Sequence, residues 1–125
     1  MITGAVAYAR ERKQFGQPIA EFQLIQEKLA EIAAGIEIAR TYAYKVIRMA
    51  EKGMDITKEA AIGKLYASRL GVQAALEAIQ IHGGYGFIKE YPVERYLRDS
   101  KLSEIGGGTS EIQKLIIARE LLKEK

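Results

Sequence analysis

The 125-residue chain contains no cysteine and one histidine, His82. Without cysteine there are no disulfides, no thiolate chemistry and no cysteine-ligated metal, and a single histidine cannot build a histidine-rich metal site. We therefore predict no metal site. No apolar stretch approaches the roughly 18 residues that a membrane-spanning helix needs, and we recognise no signal peptide. These absences favour a cytoplasmic protein, or an organelle-matrix protein whose targeting segment has been lost.

The chain also lacks any strong excess of one charge. Its 19 Lys and Arg residues and 16 Asp and Glu residues leave a net charge of +3. The cations occur singly or in pairs, without a run of five, so nucleic-acid binding is not indicated. Hydrophobic residues make up 48% of the chain, which is ordinary for a soluble domain. The length predicts one domain with a genuine core.

Proline is rare, and Pro18 and Pro92 together with the glycines divide the chain into five segments. No segment alternates with period two, so we expect no sheet. The first segment, ITGAVAYARERKQ, predicts the end of a helix, with Ile2, Val6 and Ala5 or Ala9 along one side. We expect this helix to end at Phe15-Gly16.

Two long helices are predicted in the middle of the chain. From about residue 21 to residue 52, apolar residues recur every three or four positions, which is typical of a helix in a bundle. Gly53 is a natural stop. The next helix begins near Asp55 or Thr57, either of which can cap it, and ends at the glycine pair 83–84. Its many Ala and Gly residues favour close approach of neighbouring helices.

Two shorter helices complete the predicted fold. One opens at Pro92, a suitable first-turn residue. The other follows three glycines, 106–108, and Ser110 with Gln113 matches a capping box. We therefore predict an all-α fold, an up-and-down four-helix bundle with long central helices, forming a single domain over residues 1–125.

Three short clusters carry candidate chemistry. In RERKQFG, the cations Arg10, Arg12 and Lys13 either complement a helix C-terminal dipole or form an anion site in which the planar fork of Arg12 grips phosphate oxygens. Phe15 offers a flat apolar surface to a ring. Both interpretations stay open at this point.

The other two clusters are glycine-rich. In QIHGGYGF, Gly83 and Gly84 either end a helix or leave bare backbone that a ligand can approach closely. His82 is interpreted as a half-buried residue at the helix end rather than as a base or ligand. In GGGTSE, glycines that lead into a helix can form an anion-binding nest. The stretch lacks the Lys of a Walker motif and follows no strand, which excludes a P-loop.

The three clusters in this order are more specific evidence of a protein family than any one cluster alone. The stretches YARERKQFGQPIAEFQLIQEKLA, QIHGGYGFIKEYPVERYLRDSKLSEI and GTSEIQKLIIAREL resemble the C-terminal helical domain of the FAD-dependent acyl-CoA dehydrogenases. The resemblance covers essentially the whole chain. Family members carry an N-terminal helical domain, a middle β-domain and this bundle. The resemblance therefore implies a C-terminal fragment that lacks the first two domains.

The resemblance also implies an activity and partners. The family's reaction is α,β-dehydrogenation of an acyl-CoA thioester, in which FAD takes a hydride and passes electrons to an electron-transferring flavoprotein. Its members act in fatty acid or branched-chain amino acid catabolism. They are homo-oligomers, commonly tetramers, in which the FAD lies across a subunit interface, and we expect a dimer or tetramer.

Ten residues match FAD-contacting positions of the family: Arg12, Gln14, Phe15, Phe22, Gln23, Gln80, Gly83, Gly84, Thr109 and Glu111. The resemblance places Arg12 at the pyrophosphate of a neighbouring subunit's FAD. The stretch from residue 80 to residue 84 would pass along that same cofactor. Thr109 and Glu111 match positions that bind FAD at the start of the last helix.

One position departs from the family pattern. Many members carry Tyr-Glu-Gly-Thr where this chain has glycines, and that Glu is the catalytic base; here Gly107 takes its place. Isovaleryl-CoA dehydrogenase-like branches have small residues there and carry the base on an earlier helix. That helix would be the one that ends near Arg12, and its preceding turns are absent from this sequence. Glu104 and Glu111 match no base position, so the catalytic residue stays unknown.

Two functions follow as hypotheses. In the first, the chain is the C-terminal domain of an acyl-CoA dehydrogenase and is inactive alone. In the second, it is a stand-alone, non-enzymatic helical interaction module derived from that domain. The intact flavin-facing motifs around Arg12, Phe15 and Gly83 favour the first. A domain built to pack on others also predicts exposed apolar surface and self-association.

Overall fold

The computed structural model describes residues 1–123, so residues 124 and 125 of the predicted domain lie outside the described part. Helix α1 (Ile2–Glu11) leads into a hairpin of β1 (Lys13–Gln14) and β2 (Gln17–Pro18), which is followed by a 3₁₀ turn (Ile19–Glu21). The remaining helices are α2 (Gln23–Glu51), α3 (Thr57–His82), α4 (Gly84–Phe87), α5 (Val93–Ile105) and α6 (Ser110–Lys123). The predicted all-α fold with two long central helices is confirmed.

Helix α3 is the centre of the bundle. It packs against α1, α2, α5 and α6. Small side chains make this possible, since its buried residues are mostly alanines. On α2, a Cβ added at Gly35 would lie 2.5 Å from Leu70 Cδ1 of α3, so the two long helices approach closely there. An ion pair between Lys28 and Glu77 also joins them, although half-exposed pairs contribute little stability.

The core nearest the hairpin is built from α1, α3 and α5. Ala5, Ala9, Ala78, Ile81 and Val93 form its buried cluster, together with Ile19 of the 3₁₀ turn. The two alanines of α1 are the predicted inward positions, whereas Ile2 and Val6 are only partly buried. This core fixes the end of α1 against the end of α3, and the hairpin extends directly from that junction.

The prediction of no sheet is wrong at one place. Helix α1 ends at Glu11 rather than at Phe15-Gly16, and β1 and β2 pair antiparallel with Gln14 opposite Gln17. The backbone N–H of Ile19 donates to the carbonyl oxygen of Arg12, which closes the turn at 2.8 Å. Strands of two residues are too short to show a period of two, so the sequence pattern could not reveal them.

Helix α3 begins at Thr57, as predicted, but the N-terminal caps of three helices differ from the predictions. Helix α6 does not begin with the predicted capping box: Thr109 Oγ1 accepts the N–H of Ile112, whereas the buried Ser110 Oγ finds no hydrogen-bond partner among residues 1–123. Pro92 precedes α5 as its N-cap rather than lying in its first turn. At α3 the N-cap position is occupied by Ile56, which has no capping side chain. The carboxylate of Asp55, one residue before the N-cap, accepts the N–H of Thr57 at 2.9 Å instead.

The surface carries many large apolar side chains. Leu24, Leu102, Leu115 and Leu122 are each more than 60% exposed, and several others exceed 50%. Such surface is typical of chains that pack against further domains or copies. Within residues 1–123, no helix is both long enough and apolar enough to cross a bilayer. The same residues include no group of three or more His, Asp or Glu side chains that is placed to hold a metal ion.

Candidate functional site

The hairpin after α1 presents one aromatic ring to solvent. Its two loop residues, Phe15 and Gly16, have φ values of 52° and 82°, and the two-residue type I′ turn requires positive φ at both positions. Among residues 1–123, Phe15 is the single non-glycine residue with positive φ. A bulky residue is strained in this region, and such strain is found preferentially at functional sites. Phe15 is nevertheless 95% exposed, so packing within this chain does not explain its presence.

Beside this loop lies a cavity of about 950 Å³, which we call the hairpin cavity. It is lined by Tyr8, Arg12, Gln14, Phe15, Ile19, Glu21, Phe22, Gln23, Leu24, Ile25, Ile81, His82, Gly83, Gly84, Tyr85 and Ile88. Seven of the ten predicted site residues are in this lining. The rings of Phe15 and Phe22 meet edge to face at 6.1 Å, which gives the cavity an aromatic wall.

Arg12 supplies the cationic group of the hairpin cavity. It follows α1 in an extended conformation, and its guanidinium carbon lies 5.4 Å from the ring centroid of Tyr85. Among the described residues, no carboxylate forms an ion pair with it. The exposed Glu21 also lines this cavity, but it forms no ion pair with Arg12. The planar N–H fork of Arg12 is thus available to an anionic ligand.

The glycine pair after α3 forms a bare edge of the same cavity. A Cβ added at Gly83 or at Gly84 would meet no atom of the described residues within 4 Å. At Gly86, in contrast, an added Cβ would collide with the backbone carbonyl oxygen of Ile79. The contrast assigns different roles within one short stretch: Gly86 allows α4 to pack on α3, whereas the space over Gly83 and Gly84 is open to a ligand.

His82 has a structural role between these elements. His82 was predicted to be half-buried, but it is buried. Its Nδ1 donates to the carbonyl oxygen of Ala78 at 2.7 Å. The Tyr8 ring stacks on the imidazole at 4.2 Å, and the Tyr8 hydroxyl donates to the His82 carbonyl oxygen at 3.2 Å. Burial raises the pKa of the Tyr8 phenol, and the nearby charge of Arg12 partly opposes that shift. These contacts join α1 to the end of α3.

The three remaining predicted site residues lie elsewhere. Gln80 is exposed and is not part of the hairpin-cavity lining, although its carbonyl oxygen accepts the N–H of Gly83 at 3.2 Å. Thr109 and Glu111 line a separate cavity of about 190 Å³ at the start of α6, together with Arg69 and Lys101. The structure therefore brings seven predicted residues together and places two others as a second group.

The start of α6 is already capped by its own side chains. The N–H of Glu111 itself and the hydroxyl of Thr109 hold the pKa of the Glu111 carboxyl below its ordinary value. Gly107 and Gly108 turn the chain with φ values of 65° and 91°. The side chains of Gln113 and Lys64 both donate to the carbonyl oxygen of Gly108. Gly107 and Gly108 thus form a turn that is hydrogen-bonded to side chains of α3 and α6.

Two residues with site contacts, Tyr85 and Lys64, were not anticipated from the sequence, and a third, Gln113, was anticipated only in a different role. Tyr85 contacts Arg12 across 73 positions of the sequence, and Lys64 contacts Gly108 across 44. No local pattern predicts such tertiary pairs. For Gln113 a signal was present, because its spacing from Ser110 had suggested a capping role. Its amide instead turns towards the glycine carbonyls.

Comparison with known proteins gives a consistent result. The family description "Acyl-CoA dehydrogenase, C-terminal domain" matches residues 1–122. A probable acyl-CoA dehydrogenase of Bacillus subtilis, YngJ, is 57% identical over 98% of this chain and 32% of its own length. A mitochondrial isovaleryl-CoA dehydrogenase of rice (Oryza sativa subsp. japonica) is 50% identical over 97% of this chain and 30% of its own length.

A solved structure shares the fold closely. The FAD complex of PigA superposes with a TM-score of 0.92 at 34% identity, covering 96% of this chain and 31% of that one. The chain thus spans about a third of the length of the relatives that it matches. The remaining two thirds of those proteins have no counterpart among these 125 residues.

Proposed function

The chain belongs to the acyl-CoA dehydrogenase family, whose C-terminal domain it matches, and from this premise we propose that it forms one side of an FAD site in an enzyme that dehydrogenates acyl-CoA thioesters. The observation that carries the proposal is the hairpin cavity, which joins Arg12, Phe15 and the open glycine edge 83–84. These residues come from two stretches that lie far apart in the sequence, one around Arg12 and Phe15 and the other at residues 83–84.

The residues present fit FAD. The cavity of about 950 Å³ exceeds what a small metabolite needs. Arg12, without an ion pair among the described residues, would hold the pyrophosphate, and the bare backbone at Gly83 and Gly84 would admit it closely. Phe15 and Phe22 would pack against an apolar face of the cofactor. When bound, FAD supplies the hydride-accepting chemistry; the protein supplies placement.

The two groups of predicted site residues support a shared cofactor. Arg12 and its neighbours line one cavity, and Thr109 with Glu111 lines another. If each group contacts a different FAD molecule, two copies of the chain are needed to complete one site. We therefore propose a homo-oligomer, in agreement with the exposed leucines of the surface.

The catalytic base is proposed to come from outside these residues. Gly107 occupies the position where many family members carry the base, and it has no side chain to accept a proton. This agrees with a displaced base of the kind implied by the isovaleryl-CoA dehydrogenase resemblance. We accordingly expect the isolated chain to show no dehydrogenase turnover.

The wider role rests on the family resemblance. We propose an acyl-CoA substrate from fatty acid or branched-chain amino acid catabolism, an electron-transferring flavoprotein as electron acceptor, and a cytoplasmic location. These assignments concern the complete enzyme, of which the chain matches the C-terminal third.

A domain exchange tests the proposal. The matching C-terminal third of the Bacillus subtilis relative would be replaced by this chain, and turnover measured with a panel of acyl-CoA thioesters and an artificial electron acceptor. We expect turnover in the exchanged protein and none in the isolated chain. A folded exchanged protein that has lost both FAD and turnover, while the parent retains them, would overturn the proposal and favour the non-enzymatic interaction module.

A further inference from the structure

We propose that Tyr85 is a positioning residue: its ring holds the guanidinium of Arg12 at the edge of the hairpin cavity, with the N–H fork left open for an anion. The Arg12 guanidinium carbon lies 5.4 Å from the ring centroid of Tyr85, within the range of a cation–π contact. Only the identity of the anion, a pyrophosphate, rests on the proposed function.

The way in which Arg12 is held matters for its chemistry. A carboxylate partner would also fix the guanidinium, but it would occupy N–H donors and neutralise the charge. An aromatic face attracts the cation through the ring quadrupole and leaves all five N–H donors for other acceptors. Among residues 1–123 no carboxylate forms an ion pair with Arg12, although Glu11 and Glu21 each line a cavity that it also lines. Tyr85 is therefore the contact that restrains the group without using its donors.

Tyr85 is itself held in place from two directions. It lies in the single-turn helix α4, which packs tightly on α3 because Gly86 meets the backbone of Ile79. Its ring also contacts Tyr91, with centroids 5.4 Å apart. Tyr85 is still 44% exposed and lines the hairpin cavity. A fixed ring at the edge of a cavity can orient a long side chain that would otherwise sample many rotamers.

The placement can be measured without any ligand. The Nε–Hε group of Arg12 would be followed by NMR in the full chain, recording its order parameter and the ring-current shift of the neighbouring side-chain protons. We expect a high order parameter and an upfield shift in the unmodified chain. Tyr85→Phe, which keeps the aromatic face, should retain both, and Tyr85→Leu should lose both.

A matched control is Tyr44→Leu, since Tyr44 is an exposed tyrosine on α2 that lies outside both cavities beside Arg12. It should leave the Arg12 signals unchanged. Unchanged Arg12 signals in Tyr85→Leu would overturn the proposal. If that variant does not fold, the unmodified chain decides, because the absence of an upfield shift there contradicts a ring-face contact.

A second measurement separates this inference from the proposed function. ADP, which carries the pyrophosphate, would be titrated into each variant by calorimetry. We expect Tyr85→Leu to weaken binding roughly two- to five-fold, which corresponds to an exposed cation–π contact, and Tyr85→Phe to bind like the unmodified chain. Equal ADP affinity in Tyr85→Leu would count against positioning. An unmodified chain that binds no ADP would count against the cofactor role, and the NMR signals would still decide whether Tyr85 holds Arg12.

Discussion

The side-chain amide of Gln113 donates to the carbonyl oxygen of Gly108 at 3.2 Å, and it also reaches the carbonyl oxygen of Gly107 at 3.3 Å. Gln113 is buried, and Lys64 of α3 donates to the same Gly108 oxygen. Gly107 and Gly108, just before α6, are thus held by side chains from two helices. They form a turn that needs glycine for its backbone angles and for close contact.

Substitutions in this turn should separate backbone strain from steric contact. Gly107→Ala places a Cβ at positive φ in open space, so we expect a loss of about 1 kcal/mol in the free energy of unfolding. Gly108→Ala adds a contact of 2.7 Å with Gln113 Nε2, and disrupting those hydrogen bonds should raise the loss to about 2–3 kcal/mol. Urea unfolding at neutral pH measures both. Equal losses would show that the Gln113 contact has little energetic weight.

At the tip of the hairpin, Phe15→Asn should stabilise the isolated chain. Asn tolerates positive φ, and Asn-Gly is the preferred pair for a type I′ turn. Because Phe15 is 95% exposed, little packing is lost, and we expect a gain of about 0.5–1 kcal/mol. Thermal unfolding measures the gain.

Leu24→Asn is the control for that substitution, since Leu24 lines the same cavity and is 72% exposed but lies within α2. It should give no stabilisation, because Asn has a lower helix propensity than Leu. A destabilised Phe15→Asn chain would show that the Phe15 ring, rather than its backbone strain, dominates the energetics of the loop.

Two neighbouring glycines should respond in opposite ways to the same change. Gly84→Ala should leave stability nearly unchanged, because its Cβ meets nothing within 4 Å, but the added methyl should weaken ADP binding at the cavity edge. Gly86→Ala should cost more than 2 kcal/mol, since the methyl would collide with the backbone of Ile79. Denaturant unfolding and ADP titration on both variants test this. Unaltered ADP binding in a folded Gly84→Ala chain would contradict an open ligand edge there.

The carboxyl of Glu111 should report on the cap of α6. Its pKa lies below the ordinary value because of its own N–H and the Thr109 hydroxyl. The ionised Glu111 carboxylate therefore stabilises the folded state at pH values above its ordinary pKa. This contribution is lost as the pH falls through the pKa of Glu111 in the folded chain. Thr109→Val should raise the pKa of Glu111 but should not return it to the ordinary value, because the hydrogen bond from the Glu111 backbone N–H remains.

An NMR titration of the Glu111 side-chain carbon measures that shift. Thr57→Val is the matched control, because the Thr57 hydroxyl and N–H instead lower the pKa of Asp55. It should move Asp55 and leave Glu111 unaffected. A Glu111 pKa that is the same in Thr109→Val would show that the Thr109 hydroxyl is not its partner.

The long helices were predictable because their physical cause is local. In α2, apolar residues repeat along most of the helix, and Gly53 turns with positive φ just beyond its end. The hairpin was not predictable in this way, because its two strands of two residues each are too short to show an alternation of polar and apolar residues. The cap of α6 was misassigned to Ser110 because Thr109 and Ser110 are equally suitable chemically; which one caps depends on where the glycine turn ends.

The candidate site was predictable as a set of residues but not as a geometry. The sequence pattern and the resemblance both pointed to Arg12, Phe15 and the glycine pair 83–84, and the structure gathers them in one cavity. Neither the sequence pattern nor the resemblance indicated that Thr109 lines a different cavity from Arg12. The separation of these two residues depends on how α6 packs on α3, which is a tertiary feature. Tyr85 was missed because its contact with Arg12 joins residues 73 positions apart in the sequence.

The most direct test of the proposed FAD site is the amount of FAD that co-purifies with the exchanged protein carrying this chain, measured from the flavin absorbance per subunit. We predict about one FAD per subunit, a marked loss in Arg12→Gln, and near-complete retention in Arg10→Gln, an equally basic position that does not line the hairpin cavity. Full FAD content in a folded Arg12→Gln protein would contradict the assignment of the hairpin cavity to the cofactor.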